Sequence, residues 1–220
     1  MQVFAERGPY YHDDATCTAE LPNQPMMNNA RTAEEVDPTL LPAFSLRNRV
    51  ARGVWSLCWA LLYRTSPRPL HPWRAMLLRL FGAKLGPACH FYPRSKVWAP
   101  WNLVCEDRVT LGDDAELYNP SLFYLASHCI VSQGAYLCGA THDYNHPEFP
   151  LVSFPMTVGP YAWICARAIV HPRVNIGAGA ILGLGSMATR DPEPFGVYAG
   201  VPAAKVKERL PSSVPEQYWR

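Results

Sequence analysis

An aliphatic residue recurs at every sixth position through residues 158–188. The series comprises Val158, Ile164, Val170, Ile176 and Leu182, and Ala188 continues it. Four positions after each of the first five stands a small or β-branched residue: Ala162, Ala168, Val174, Ala180 and Ser186. Neither an α-helix nor a pleated strand has a period of six residues. A short repeat held at fixed spacing predicts a coil of stacked turns.

The same spacing predicts the geometry of that coil. Each hexad forms one flat face, three hexads close one turn, and stacked turns pair as parallel strands about 4.8 Å apart. The aliphatic residues point inward and the small residues lie at the bends. The frame extends upstream through Leu85, Phe91, Val97, Cys105, Leu111, Leu117, Leu125, Val131 and Leu137. Breaks at 98–102 and 119–124 predict corner loops, so the sequence predicts a coil over residues 85–200.

The flanking segments differ from the coil in charge. Residues 1–45 are acidic, proline-dotted and aperiodic, which predicts a flexible tail. Residues 46–84 predict two short helices, at 46–63 and 72–81, ended by a proline-rich turn and by Gly82. Residues 201–220 are expected to form a C-terminal helix or tail.

The helical segment lies in a stretch without acidic residues, from 38 to 105, in which arginine and lysine recur. One interpretation is that the helices pack on the coil and leave the arginines in solvent. The other is that an apolar face rimmed by arginine contacts an anionic membrane surface.

Composition narrows the function classes. The net charge of +2 indicates no nucleic-acid partner. No apolar run reaches the roughly 20 residues of a membrane span, and no signal peptide is recognisable at the start. Of the seven cysteines, Cys89, Cys105 and Cys129 fall in the repeat frame, which favours reduced packing residues over disulfides. We therefore expect a cytoplasmic protein.

The longest interruption of the repeat, residues 138–156, carries the candidate chemistry. A stacked coil accepts insertions only at its corners, so this segment is expected to leave the coil as an excursion loop. It contains His142, Asp143, Asn145, His146 and Glu148. Histidine has an ordinary pKa near neutrality, so it can act as a general base in proton transfer. His142, at the root of the loop, is the candidate general base.

Four segments resemble a known family: FSLRNRVARGVW at 44–55, SQGAYLCGATHDYNHPEFP at 132–150, the hexad run VGPYAWICARAIVHPRVNIGAGAILGLGSMATRD at 158–191, and VYAGVPAAKV at 197–206. The chain resembles the hexapeptide-repeat acyltransferases of the maltose and galactoside acetyltransferase branch, and most closely the colanic-acid-type exopolysaccharide acetyltransferases. The resemblance implies an all-β fold, a left-handed parallel β-helix with short N-terminal helices. It also implies an acetyl-CoA-dependent O-acetyltransferase that modifies a sugar or glycan, works as a homotrimer and needs no metal.

The resemblance also implies roles for particular residues. His142 matches the catalytic histidine of the family, and Asn119 and Asp143 are expected to contact the acceptor. The expected contacts to acetyl-CoA are Trp163, Ala166, Leu184, Thr189, Arg190 and Lys205. Lys207 is an alternative to Lys205, because the segment carries one more alanine than the usual family motif.

Three alternatives stay open. Cys138 could form an acyl-cysteine in a two-step transfer. A zinc enzyme of the gamma carbonic anhydrase type could use His142, His146 and His171, although their spacing departs from that family's. A non-catalytic coil could serve as an assembly scaffold, which the intact His142 argues against.

Overall fold

The aliphatic residues of the hexad series line the interior of a three-sided parallel β-helix, seen in a computed structural model that describes residues 44–218. Val158, Ile164 and Leu182 are completely buried. Ile164 pairs in parallel with Val131 of the preceding turn and with Leu182 of the following turn. The coil of stacked parallel turns predicted from the period of six is confirmed. Of the tail predicted for residues 1–45, residues 1–43 lie outside the described part of the chain.

Three parallel sheets form the faces of the coil. The first consists of β1 (Lys84–Leu85), β4 (Leu103–Cys105), β7 (Phe123–Leu125) and β12 (Met156–Val158). The second consists of β2 (His90–Phe91), β5 (Thr110–Leu111), β8 (Ile130–Val131), β13 (Trp163–Ile164), β15 (Ile181–Leu182) and β17 (Gly196–Ala199). The third consists of β3 (Lys96–Val97), β6 (Glu116–Tyr118), β9 (Tyr136–Cys138), β14 (Ile169–Val170) and β16 (Met187–Ala188).

The corners of the coil explain why a small or β-branched residue recurs four positions after each aliphatic residue. Tyr161 and Arg167 adopt left-handed backbone conformations, with φ of 56° and 58°. Each precedes a completely buried alanine, Ala162 or Ala168. The chain turns sharply at the left-handed residue, so the next side chain lies against the inside of the bend and must be small. The largest residue at these positions in the hexad series is Val174, which is also buried.

Both predicted helices are present and pack against the beginning of the coil. They are α1 (Leu46–Cys58), which continues as a π-helical turn over Trp59–Tyr63, and α2 (His71–Leu80). The indole nitrogen of Trp55 donates to the carbonyl oxygen of Val97 at 2.7 Å, and that of Trp59 donates to Ser95 at 2.8 Å. These bonds fix α1 against the first turn. Within the described residues, neither helix has the length and apolar character of a membrane span.

The C-terminal segment is a strand and not the helix that was one expectation for residues 201–220. β18 (Ala204–Glu208) reverses direction and pairs antiparallel with β17. Two 3₁₀ turns follow, Pro211–Ser213 and Glu216–Tyr218. β18 covers the edge of β17, which would otherwise leave its backbone groups unpaired at the end of the coil.

Candidate active site

The excursion from the coil is a β-hairpin, a more regular structure than the loop predicted for 138–156. β10 (Ala140–His142) pairs antiparallel with β11 (Leu151–Ser153), and His142 lies opposite Leu151. The hairpin departs after β9 of the third sheet and returns to β12 of the first. It therefore projects from the corner between these two sheets and carries His142 at its outer end, next to the tip formed by residues 143–150.

The backbone of the hairpin orients the imidazole of His142. Its Nδ1 lies 2.5 Å from the carbonyl oxygen of Phe149. A carbonyl oxygen can only accept, so Nδ1 carries the proton and, in the neutral ring, Nε2 has a free lone pair. The side chain is exposed. The structure thus presents a histidine at the surface with its tautomer fixed for accepting a proton at Nε2.

A groove of about 490 Å³ lies between the hairpin and the third sheet. The hairpin contributes Thr141, Tyr144 and Phe154 to its walls, and the coil contributes Tyr136, His171 and Arg173. The guanidinium of Arg173 stands over the ring of Phe154, 4.6 Å from its centroid. Such a mixture of aromatic surface, hydroxyl groups and a cation suits a polar ligand with apolar ring faces.

Cys138 and His171 also line this groove. The Cys138 thiol is half-buried and contacts the carbonyl oxygen of Ala140 at 3.2 Å. His171 lies at a corner of the coil in the turn above, after β14. The groove therefore brings Cys138 close to the hairpin that carries His142.

The remaining polar residues of the hairpin stabilise its tip. The carboxylate of Asp143 accepts a hydrogen bond from the backbone N–H of Asn145 at 3.0 Å, which is the geometry of an Asx turn. Nδ1 of His146 accepts from the N–H of Glu148 at 3.2 Å. Both side chains organise the tip on which the Phe149 carbonyl lies. Asp143 follows His142 directly and is half-buried.

Asn119 lies in the interior of the coil. Its side-chain oxygen accepts from the N–H of Ala99 at 3.0 Å, and its amide donates to the carbonyl oxygens of Ala99 and Asn102 at 2.9 and 3.2 Å. The residue is completely buried. These bonds connect two irregular corners of successive turns, so the position gives Asn119 a role in the fold and leaves it no surface for an acceptor in the single chain.

Three of the residues expected to contact acetyl-CoA lie on the second sheet or at its corner with the third sheet. Trp163 on β13 is 44% exposed, and its indole N–H donates to the hydroxyl of Ser132 at 2.8 Å. Ala166 and Leu184 occupy the corner between the second and third sheets in successive turns. Their stacking is fixed by a 3.0 Å bond from the N–H of Gly185 to the carbonyl oxygen of Ala166. Leu184 is 75% exposed and adds an apolar side chain to this corner.

The cationic residues expected at the phosphate end of acetyl-CoA differ in whether they are already bound to carboxylates. Arg190 is exposed and follows Thr189 at the end of β16. The ammonium of Lys205 is bound to Glu193 at 2.8 Å and to Glu208 at 2.6 Å. These hydrogen bonds raise the pKa of Lys205 and lower that of Glu193. Lys205 is thus engaged with carboxylates, while the neighbouring Lys207 is exposed on the same strand.

The predicted catalytic residue and the predicted acetyl-CoA contacts do not come together within one chain. His142 projects from the corner between the third and first sheets, whereas Ala166 and Leu184 lie at the corner between the second and third sheets. The two sets are therefore at opposite edges of the third sheet. Residues from different edges of a three-sided prism meet only if two prisms lie side by side.

Two contributors to the site were not recognised in the sequence. The Phe149 carbonyl orients His142, and the Ser132 hydroxyl anchors Trp163. A backbone carbonyl has no signature in the sequence, and Ser132 lies 31 residues from Trp163 along the chain. Within residues 44–218, no group of three or more His, Cys, Asp or Glu side chains is arranged to hold a metal ion.

Comparison with known proteins identifies relatives along most of the chain. No family model matches the chain. The chain is similar to the protein named, provisionally, colanic acid biosynthesis acetyltransferase WcaF in Escherichia coli K12. The two are 34% identical over 163 residues, which cover 74% of this chain and 90% of WcaF.

Two solved structures share the fold. Maltose O-acetyltransferase from Clostridium difficile 630 matches with a TM-score of 0.67 and 17% identity, covering 76% of this chain and 90% of that one. The hexapeptide-repeat acetyltransferase VCA0836 from Vibrio cholerae O1 biovar eltor, solved with acetyl-CoA, matches with a TM-score of 0.64 and 18% identity. The match covers 74% of this chain and 88% of that one.

Proposed function

Because this chain belongs to the hexapeptide-repeat acetyltransferase family, we propose that it transfers an acetyl group from acetyl-CoA to a hydroxyl of a sugar or an exopolysaccharide precursor. The name of WcaF supports an exopolysaccharide acceptor. The acetyl-CoA bound to VCA0836 supports the donor. A cytoplasmic location stays a prediction.

The observation that carries this proposal is the hydrogen bond from Nδ1 of His142 to the Phe149 carbonyl oxygen at 2.5 Å. It leaves Nε2 of the neutral ring as the acceptor and holds the ring in one orientation. A general base needs both properties, since proton transfer requires hydrogen-bond contact with the reacting hydroxyl. The accepting nitrogen lies on an exposed side chain, where a hydroxyl can approach it.

The reaction follows from this geometry in two proton transfers. Nε2 of His142 removes the proton from the acceptor hydroxyl while that oxygen attacks the thioester carbonyl carbon. The ring is then a cation, which the Phe149 carbonyl oxygen stabilises through the Nδ1–H. The imidazolium returns the proton to the sulfur as the carbon–sulfur bond breaks. The products are the acetyl ester and free CoA, and the histidine is restored.

The donor would lie along the edge formed by Trp163, Ala166 and Leu184. The exposed indole and leucine provide apolar contacts for the pantetheine arm, and the corner backbone provides hydrogen-bonding groups. We assign the phosphate end to Arg190, because its guanidinium is exposed and a guanidinium binds phosphate through two parallel hydrogen bonds. Thr189 precedes it, and both residues follow β16 at the corner between the third and first sheets. Lys205 is engaged with Glu193 and Glu208, so Lys207 is the better second cation.

This arrangement supports a homotrimer with active sites between neighbouring coils. His142 and the edge that carries Trp163 lie at different corners of one chain, so a complete site needs His142 from one copy and the Trp163 edge from the next. Exposed apolar side chains on the coil, such as Leu184, would be covered in that contact. A closed ring of three uses both corners of every chain.

The test is an acceptor screen with acetyl-CoA, which follows CoA release for wild type, His142→Ala and His146→Ala. Loss of a general base lowers turnover by about 10²–10⁴-fold. We expect this loss for His142→Ala, together with unchanged binding of acetyl-CoA by calorimetry. His146→Ala is the control for the hairpin itself: its Nδ1 accepts from the tip backbone, so we expect a much smaller loss of turnover than for His142→Ala.

Three results would contradict parts of the proposal. Full turnover in His142→Ala would exclude His142 as the general base. Failure of the wild type to bind acetyl-CoA would favour a non-catalytic scaffold. Turnover that depends on stoichiometric zinc would favour the carbonic anhydrase type. Cys138→Ser separates one-step from two-step transfer, because an acyl-cysteine intermediate requires the Cys138 thiolate. We expect this variant to keep its turnover.

A further inference from the structure

The two helices expose a continuous apolar surface on the side that faces away from the coil. On α1 and its π-helical turn it consists of Leu46, Val50, Val54, Leu57 and Leu61. Around α2 it consists of Leu70, Trp73, Met76 and Leu80. All nine side chains are exposed, and Leu46 and Leu80 are exposed by 73% and 76%. We call this surface the outer helical face.

The exposed apolar residues of α1 recur at helical spacing. The positions on α1 follow steps of four, four, three and four residues, which lie on one side of a helix. The opposite side of α1 carries Trp55, Trp59 and Tyr63, which contact the coil. A helix that is apolar on both sides needs a second apolar environment in addition to the core that it already contacts.

The stripes of the two helices join into one surface. The indole N–H of Trp73 on α2 donates to the carbonyl oxygen of Leu62 in the π-helical turn at 3.0 Å. This bond holds the two helices beside one another where both stripes are exposed. Isolated exposed leucines are common on soluble proteins, but a contiguous patch of large apolar side chains indicates an interaction surface.

Arginine side chains flank the outer helical face at the start of α1, and further basic residues are exposed in the same segment. Arg47, Arg49, Arg64, Arg79 and Lys84 are exposed in the same segment, and no acidic residue occurs between positions 38 and 105. Within residues 44–218, Arg47 and Arg49 form no ion pair with a carboxylate. The charges of Arg47 and Arg49 are thus available to a negatively charged partner, whereas Arg79 donates to carbonyl oxygens of the coil.

We propose that the outer helical face docks on the surface of an anionic lipid bilayer, with α1 and α2 lying in the plane of the interface. An apolar stripe flanked by arginine and lysine matches helices that insert their apolar side at the boundary between headgroups and acyl chains. The bilayer supplies both the apolar layer and the negative headgroups. A symmetric contact between two copies would instead bring the two arginine rims together.

The proposal is independent of acetyl transfer. The outer helical face lies on the N-terminal helices, while the hairpin with His142 follows β9. Loss of docking would leave the chemical step intact with a water-soluble acceptor, and loss of His142 would leave docking intact. The two proposals can therefore fail separately.

The test is flotation of the full chain with vesicles of phosphatidylcholine that contain about one third phosphatidylserine. We expect wild type to float with these vesicles and to remain in solution with pure phosphatidylcholine. High salt should release it, because screening weakens the contacts of the arginine rim. The double variant Leu57→Gln/Leu61→Gln should lower the partition coefficient by at least about tenfold, since both side chains enter the apolar layer.

A matched control removes exposed apolar side chains elsewhere. Val206→Gln/Leu210→Gln changes two residues that are exposed by 60% and 74% on the C-terminal segment, and we expect wild-type flotation. Arg47→Gln/Arg49→Gln keeps every apolar residue and should lower binding by about fivefold for each charge removed. This pair also tests docking should the leucine variant fail to fold.

Three outcomes would overturn the proposal. The first is wild type that does not bind anionic vesicles. The second is binding that survives both the leucine and the arginine substitutions. The third is a change in oligomeric state of Leu57→Gln/Leu61→Gln by light scattering, without vesicle binding by the wild type, which would assign the face to contact between copies.

Discussion

A buried arginine joins the helical segment to the coil, and its removal gives the sharpest test of the packing. Arg74 on α2 is completely buried. Its Nε donates to the carbonyl oxygen of Phe91 at 2.5 Å, and its terminal nitrogens donate to the carbonyl oxygens of Pro67 at 2.9 Å and Arg68 at 2.5 Å. One side chain therefore connects α2, the turn before it and the first turn of the coil.

The expected loss of stability in Arg74→Met follows from the carbonyl oxygens that would lose a hydrogen-bond donor. The Phe91 carbonyl keeps a bond from His71 at 2.8 Å, and the Pro67 carbonyl keeps one from the N–H of Leu70. Among the described residues, the Arg68 carbonyl has no other donor. An unsatisfied buried acceptor costs about 1–3 kcal/mol, and a hydrogen bond to a charged group contributes about 1.5–3 kcal/mol. Methionine fills most of the volume, so we expect a loss of about 3 kcal/mol.

The assay is thermal unfolding at one scan rate, followed by circular dichroism and by tryptophan fluorescence. For chains of 150–250 residues, Tm changes by about 2–4 °C per kcal/mol, so Arg74→Met should lower Tm by roughly 6–12 °C. Trp55 and Trp59 report on the contact between α1 and the coil. Arg74→Lys keeps the charge but cannot reach all three carbonyls, and an intermediate Tm is expected.

Arg49→Met is the control, because Arg49 is exposed on α1. It should leave Tm within about 2 °C of wild type, as expected for a surface substitution. If Arg74→Met behaved like Arg49→Met, the hydrogen bonds of the guanidinium would not contribute to the docking of the helices, and the reasoning would be refuted.

Four further substitutions test the coil. Gly185→Ala should destabilise the fold by about 1 kcal/mol through its positive φ of 64° alone, because no atom lies within 4 Å of the added methyl group. Gly177→Ala should lower Tm further, since the new carbon would lie 2.6 Å from backbone of the next turn; equal Tm values would contradict this. Asn119→Ala should lose about 2 kcal/mol in a denaturant titration while KM for the acceptor stays unchanged, and a selective rise in KM would instead support acceptor binding. The hydrogen bonds of Glu106, first to Ser127, lower its carboxyl pKa from 4.5. Its stabilisation is present above pH 4.5 and lost as pH falls through the lowered value, so Glu106→Gln should flatten the decline of the unfolding free energy below pH 4.5.

The hairpin shows how far the position of a catalytic group can be read from a sequence. The longest break in the hexad frame locates His142, because a coil with parallel strands accepts long insertions only at its corners. The break does not reveal that the insertion pairs as β10 and β11. That pairing depends on residues on both sides of the tip, and it places the Phe149 carbonyl against Nδ1.

Asn119 and Lys205 show that residue type and local sequence are not enough to predict a binding role. Both residue types fit a binding role, and neither sequence context indicates a competing partner. The structure supplies those partners from distant segments: the backbone at Ala99 lies 20 residues from Asn119, and Glu193 lies 12 residues from Lys205. A polar side chain binds whichever complementary group folding brings within reach.

The sequence by itself determined the architecture. A period of six with inward aliphatic residues fits only a coil whose faces are six residues long, since the burial of each side chain is set by its position in the repeat. The tertiary structure decided the tautomer of His142, the burial of Asn119, the antiparallel strand β18 and the outward direction of the apolar stripe on α1. Each of these depends on contacts between segments that are far apart in the chain, and a repeat pattern contains no information about such contacts.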